Sequence, residues 1–532
     1  MIWQAHTPEE PMTQNDTIFP RSSGVLLHPT SLPGRFGIGD LGEWAYKFAD
    51  WLAQVGQTVW QVLPLGPTSY GDSPYQSLSA FAGNPLLISL DQLIMDGWLT
   101  AADVAGLPEF PLYQVDYGPV ITYHNQLLKR AYERFVATAA PEKRQAFERW
   151  CQEQAAWLPD FALFVALKDE NGGKPWVEWP KAEALREPAA LQAAQTRLAA
   201  AIGEHAFRQW LFYGQWSALR QYVNGKGIRL VGDIPIFVAH DSADVWVNRQ
   251  YFTLDESGQP TFIAGVPPDY FSPTGQRWGN PLYRWDKLAA DGYQWWIDRI
   301  QATLTLVDIV RIDHFRGFAA YWEVPGSEKT AEKGRWVKGP GMDLFKVITK
   351  VMGQLPIIAE DLGLITPDVG ELRDGLGLPG MRILQFAFGG SGGENRFLPH
   401  KHDESSIVYS GTHDNNTTLG WWLSGEATDD IKINLRDYVG HEITEPNWDL
   451  IRLGLASVAH TFVAPLQDVW GFGADTRMNT PGRQGGNWGW RFTPEWLAHS
   501  AKDRLAYLTK LFGRWPEAPE DPNKSIPEGY PR

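Results

Sequence analysis

Short apolar runs that each end in a polar cluster recur along the chain. They are GVLLHPTSLPG (24–34), VWQVLPLGP (59–67), IRLVGDIPIFV (228–238), TLVDIVRIDHF (305–315), PIIAEDLG (356–363), RILQFAFGG (382–390), SIVYSGTHDN (406–415) and QDVWGFGAD (467–475). Most are separated by stretches of helical periodicity, such as Asp40 to Gln54. Strands buried on both faces read as continuous Val/Ile/Leu runs rather than as alternations. Eight such runs alternating with helices predict an α/β fold, a (β/α)8 TIM barrel with reactive groups at the C-terminal ends of its strands.

A bare barrel needs about 250 residues, and the chain has 532. The widest gap between runs predicts a mainly helical inserted subdomain over residues 68–220, overhanging the C-terminal face of the barrel. Its segments PEKRQAFERWCQEQAAW and AALQAAQTRLAAAIGEHAFRQWLFYGQW are rich in helix formers and i, i+4 charge pairs. The barrel is expected over 21–67 and 221–513. Residues 1–20 read as a leader tail without the features of a signal or transit peptide, and the Pro-rich 514–532 as a surface or disordered tail.

Charge then removes whole classes of partner. Lys and Arg total 47 against 62 Asp and Glu, a net −15 that repels phosphate backbones and anionic lipid heads. Neither nucleic acid nor a membrane is expected as a partner, and no run is long and apolar enough for a spanning helix. The single Cys151 cannot form an intrachain disulfide, so a cytoplasmic location is expected. No DxDxDG loop, HExxH, close cysteine pair or phosphate loop occurs, and no metal or cofactor is expected; His400 and His402 look incidental. A monomer or weak homodimer is expected.

The stretch VRIDHFRGF (310–318) begins like a buried strand and then places Arg311, Asp313, His314 and Arg316 close together. Period-two alternation puts Val307, Ile309, Arg311 and Asp313 on one face. Asp313 then emerges at the barrel mouth with Arg311 one layer beneath, where a guanidinium can hold the carboxylate ionised. The same rule groups Ile358 with Glu360, turns Asp361 the other way, and groups Ser410, Thr412 and Asp414. Single strand-end acids commonly serve as caps or salt-bridge partners. Three converging on one mouth fit retaining glycoside chemistry, in which one carboxylate attacks C1 and another protonates the leaving oxygen.

VRIDHFRGF, PIIAEDLG and SGTHDNNTT together resemble the 4-α-glucanotransferases (amylomaltases, disproportionating enzymes) of glycoside hydrolase family 77. GDIPIFV, DSPYQ, GQRWGNPLY and RMNTPGR extend the resemblance from about Ser22 to Phe492. The resemblance implies that Asp313 is the nucleophile, Glu360 the acid/base and Asp414 the transition-state stabiliser. It also implies that Arg311 and His413 contact sugar and orient the nucleophile, and that Asp233 binds nearby hydroxyls; His413 and Asp233 equally fit satisfied strand-end polar groups. Trp278 and Asn280 are implied on a loop over the acceptor side, beside Tyr270, Phe271 and Tyr283. Tyr75 is implied near the acceptor subsites, with Ser73 and Ser77 as hydrogen-bonding neighbours, and Asn479 on a substrate-side loop. Trp488 and Trp490 fit either stacking on glucose or barrel closure, with closure favoured. HDNNTT departs from the family pattern at Asn415 and Asn416, where many relatives place a second acid.

The implied partners are an α-1,4-glucan donor and a glucose or maltooligosaccharide acceptor whose 4-hydroxyl receives the segment, with the α configuration retained by two inversions. A retaining α-glucan hydrolase of amylase type is the alternative enzyme. A non-catalytic glucan-binding scaffold would need only the Trp-rich loops and not three carboxylates.

Overall fold

The computed structural model describes residues 19–516 apart from 269–271, 364, 391 and 484. Most of both expected tails, and the candidate loop residues Tyr270 and Phe271, lie outside the described residues.

Strands follow in chain order as β1 (Ser22–Leu26), β2 (Val59–Gln61), β3 (Arg229–Pro235), β4 (Phe262–Val266), β5 (Gln276–Pro281), β6 (Ile309–Asp313), β7 (Ala320–Pro325), β8 (Arg335–Lys338), β9 (Ile357–Ala359), β10 (Gly380–Ile383), β11 (Ser406–Tyr409) and β12 (Thr461–Pro465). Eight of them close a barrel in the order β1-β12-β11-β10-β9-β6-β3-β2, all paired parallel. This is the predicted (β/α)8 barrel.

One expected strand is wrong. The eighth strand is β12, TFVAP, whose five residues are all buried, whereas Leu466–Trp470 is a helix ended by Gly471 at φ +70°. Asp468 explains the difference: it accepts from Ser410 Oγ at 2.6 Å, Thr418 N at 2.7 Å and Thr418 Oγ1 at 2.8 Å, tying this helix to the loop after β11. Apolar Val469 and Trp470 belong to the layer packed outside the barrel.

The barrel interior is a separate apolar layer of Leu26, Val59, Val231, Ile309, Ile358, Met381, Ile383, Ile407, Tyr409 and Val463. Above it the filling turns polar. Asp233 pairs in register with Arg311, and Tyr409 Oη donates to Gln61 Oε1 at 2.9 Å across the barrel. Ile309, Arg311 and Asp313 alternate inward as expected, but Val307 precedes the strand and packs outside it, against the backbone of Gly232.

The connection from β2 to β3 contains the helices Tyr117–Thr138, Pro141–Glu153, Leu158–Glu170, Pro188–Arg197 and Ala199–Gly225 among its elements. The last is 27 residues long and runs through residue 220. Its C-terminal half lies against the barrel: Trp216 Nε1 donates to Leu306 O at 2.7 Å, and Arg220 pairs with Asp308 at 2.7 Å.

The segment 265–285, read from sequence as a loop, includes β5. With β4, β7 and β8 it forms a four-stranded antiparallel sheet in the order β5-β4-β7-β8. The overlooked signal is the polar and aromatic alternation of AYWEVP and RWVK, which marks a sheet with one face outward.

At the seam between β1 and β12, Arg514 is 1% exposed. Its guanidinium donates to the carbonyls of Ser22 (2.6 Å), His460 (2.9 Å), Leu455 (2.8 Å), Ser457 (2.9 Å) and Ala459 (2.9 Å). Carbonyl dipoles, not a carboxylate, compensate this buried cation, and burial pulls its pKa down to about 9.

Candidate active site

At the end of β6 the chain turns sharply. His314 adopts φ +55°, the left-handed region that non-glycine residues seldom occupy, and a 3-10 turn follows over Phe315–Phe318. The turn aims the His314 amide at Glu360 Oε2 (2.7 Å), while the Leu362 amide reaches Glu360 Oε1 at 2.9 Å. Both oxygens of Glu360 are thus fixed by backbone beside Asp313. The His314 imidazole is held neutral, its pKa pushed down to about 3 by burial and by Arg316, and it meets Trp278 edge-on at 4.8 Å.

Arg311 lies below Asp313 and is shared. One terminal nitrogen donates to Asp233 Oδ2 at 2.5 Å and the other to Asp313 Oδ1 at 3.0 Å. Burial therefore outweighs the guanidinium. The Asp313 pKa is pushed up to about 6 by desolvation, with Arg311 pulling it down and Asp233 and Asp414 adding to the rise. Glu360 is pushed up to about 8, first by burial and then by Asp313, against its two amide hydrogen bonds. At neutral pH the site favours one proton, on Glu360.

Asp414 arrives by a different route from the expected one. The strand β11 ends at Tyr409, and Ser410 faces outward to Asp468, so alternation does not extend to Asp414. A turn carries it in. Asn415 Oδ1 accepts from Thr412 N and Thr412 Oγ1, both at 2.9 Å, and Arg477 Nη2 donates to the Asp414 carbonyl at 2.6 Å. Asn415 therefore shapes the turn, and Asn416 Nδ2 donates to Glu426 Oε1 at 2.7 Å. The Asp414 carboxylate accepts from Asn479 Nδ2 at 2.6 Å, has His413 Nε2 at 3.4 Å, and is 44% exposed, open to a ligand.

Tyr75 reaches back from the β2–β3 connection. Its hydroxyl donates to Asp233 Oδ2 at 2.8 Å, and its ring stacks on His413 at 5.1 Å with Trp488 at 5.8 Å. The buried Asp233 Oδ1 and His413 Nδ1 have no hydrogen-bond partner, as does Nδ1 of buried His28, whose pKa burial and His413 push down to about 3. These unpaired buried atoms cluster beneath the exposed Asp414 carboxylate and leave polar capacity next to it.

Other candidates are tied up within the protein. Ser77 Oγ donates to Pro67 O (3.1 Å) and Ser79 O (2.8 Å), shaping its own loop. Asn280 is 6% exposed, with Nδ2 on Val238 O at 2.9 Å and Gln76 Nε2 on its Oδ1 at 3.5 Å. Trp278 is half-buried, its Nε1 on Gln276 Oε1 at 3.2 Å. Trp490 packs with Phe472 and Phe492, as closure requires. Sequence reasoning passed over His28, His314, Arg477 and Gln276 as site members. The HPTSLPG cluster after β1 and the RMN triplet were the available signals. Asp361 accepts from Met381 N at 2.7 Å and Arg373 Nη1 at 2.5 Å and is structural, as its facing predicted.

The family model for 4-alpha-glucanotransferase matches residues 27–497. The 4-alpha-glucanotransferase of Thermus thermophilus is 52% identical over 503 residues, 93% of this chain and 99% of that protein. That of a Synechocystis strain is 49% identical over 93% of this chain and 98% of its own length. Among solved structures, the amylomaltase of Streptococcus agalactiae in complex with acarbose superposes with a TM-score of 0.90 at 41% identity, covering 93% of this chain and all of that one. With three carboxylates gathered on the barrel mouth and agreement along nearly the whole described length, the chain belongs to glycoside hydrolase family 77, the 4-alpha-glucanotransferases.

Proposed function

We propose that the chain is a retaining 4-α-glucanotransferase in which Asp313 is the nucleophile, Glu360 the acid/base and Asp414 the stabiliser of the oxocarbenium-like state. The observation that carries this reading is the placement of Asp313, half-buried at the mouth and held by Arg311 at 3.0 Å, beside buried Glu360, whose two oxygens are fixed by the His314 and Leu362 amides; burial pushes both carboxyls up, Glu360 further. Protonated Glu360 gives its proton to the leaving glycosidic oxygen as Asp313 attacks C1 and forms a β-linked glycosyl-enzyme. The donor's reducing-end fragment departs. Glu360, now a carboxylate, takes the proton of an incoming 4-hydroxyl, whose oxygen displaces Asp313 and restores the α linkage.

Arg311 orients Asp313 and Asp233, and the orphan Oδ1 of Asp233 accepts a sugar hydroxyl. Tyr75, His413 and Asn479 line the cleavage point, while Trp278 offers a ring to the acceptor side and Ser77 and Asn280 support its loops. The donor is an α-1,4-glucan and the acceptor glucose or a maltooligosaccharide. A cytoplasmic monomer or weak homodimer accompanies the reading, resting on the lone cysteine.

Incubation with maltotriose alone tests it. Free glucose plus a ladder of longer chains, at constant reducing-end count, is the expected product profile. Rising reducing ends with only glucose and maltose would move the assignment to hydrolysis. Asp313→Asn should lower turnover by at least about a thousandfold, and an unchanged rate would remove Asp313 as nucleophile.

A further inference from the structure

A cleft of about 420 Å³ opens on the outside of the molecule between the β7–β8 hairpin and the helix Pro367–Gly375. Its volume falls in the range of about 300–1,000 Å³ common to ligand sites. Ala319 and Ala320 form one wall, Trp336 and Lys338 another, and Asp368 and Glu371 the helix side. None of these belongs to the constellation around Asp313.

Trp336 is the unusual member. It is 38% exposed, yet its ring is held in place: the Arg316 guanidinium lies 3.9 Å from its centroid, and Trp322 meets it edge-on at 5.2 Å. A fixed, partly exposed indole offers a flat apolar face to a ligand at little cost in ordering. Asp368 and Glu371 stand three apart on the same exposed helix face, and Asp368 is near enough to Arg316 to attract its charge. One lysine against two acids does not suit an anion. An aromatic plate flanked by exposed carboxylates and a lysine suits a neutral, polyhydroxylated chain, whose apolar sugar face stacks while its hydroxyls reach outward.

The cleft lies beside the turn Phe315–Phe318 that follows β6. Its wall begins at Ala319, six residues after Asp313 (319 − 313 = 6). The strand β7 pairs with β4 and β4 with β5, which carries Trp278 against His314. The antiparallel sheet thus carries Trp336 on one edge strand and Trp278 on the other, so a long polymer chain can be engaged at both ends of the sheet.

We propose that this cleft is a second α-glucan-binding site that holds the distal part of long chains while another part is processed at Asp313. The proposal rests on the glucanotransferase reading for its choice of ligand. It predicts that length matters: Trp336→Ala should raise KM for long amylose about three- to tenfold, the worth of one aromatic contact, and leave kcat/KM for maltotriose unchanged. Asp368→Asn combined with Glu371→Gln, both exposed and harmless to folding, should shift amylose KM in the same direction. Equal effects on both substrates, or none on either, would overturn the proposal.

A binding measurement separates this from the activity itself. Mobility in amylose-containing gels is compared for Asp313→Asn and for Asp313→Asn with Trp336→Ala. Reduced retardation in the double variant supports the cleft even if no transfer is seen with maltotriose, and equal retardation refutes it.

Discussion

Asp313 and Glu360 carry the pH behaviour. In the proposed roles turnover needs Asp313 ionised and Glu360 protonated, so kcat/KM should follow a bell with limbs near 6 and 8, which belong to the interacting pair rather than to either residue. Both folded-state values lie above the ordinary 3.8 and 4.5. The folded protein therefore binds these protons more tightly than the unfolded chain, and the stability they contribute is lost as pH rises through the window. Glu360→Gln should melt at a higher temperature than the parent at pH 8, with the difference shrinking towards pH 5; a constant difference would contradict the raised Glu360 value. Arg477 acts at one remove, through the Asp414 carbonyl (2.6 Å) and the Asn479 carbonyl (2.6 Å). Arg477→Ala should lower kcat about 10- to 100-fold through misplacement of Asp414 with little change in KM, and Arg477→Lys should recover part of it. Steady-state kinetics on maltotriose reads this split. Alternation placed Asp313 and Glu360 at strand ends, whereas Asp414 follows a turn after β11 and only the motif order pointed to it. Ser77 and Asn280 were not, because a polar side chain in a loop reads the same whether it faces a sugar or its own backbone.

Among the elements, the loop after β11 and the helix after β12 show why one strand was misplaced. QDVW satisfies an apolar strand pattern over so few residues that period cannot separate strand from helix. Tertiary bonds decide: Asp468 caps the loop through Ser410 and Thr418, and Asn447 Nδ2 secures the Asp468 carbonyl at 2.9 Å. Asp468→Ala should destabilise by about 3 kcal/mol, the cost of orphaning buried hydroxyl and amide groups, as read by denaturant unfolding. Activity should fall with it, because the same loop leads into Asp414. The antiparallel sheet was missed for a related reason: its strands sit outside the barrel repeat and carry polar residues on their outer side, which in a Gly- and Pro-rich segment reads as loop.

For the whole molecule, barrel class followed from eight apolar runs with helices between them, whereas closure depends on contacts no local pattern announces. Arg514 is the clearest: it gathers carbonyls from Ser22 to His460 across the first and last strands. Arg514→Ala should cost about 3 kcal/mol or more, since several buried carbonyls lose a charged donor at once. Arg514→Lys should not restore it, because a single ammonium cannot replace a planar five-donor fork; thermal melts of both variants compare the two directly. The same residue makes the barrel a ring with no first member. Ser22 and Arg514 touch, so the chain can be spliced there and opened elsewhere, for instance just after exposed Gly172–Gly173, whose amides cap the preceding helix and whose Cα positions have open space around them. Such a circular permutant should melt cooperatively and keep its action on maltotriose. The order in which the strands are synthesised would then be free to change while their arrangement in space stays the same.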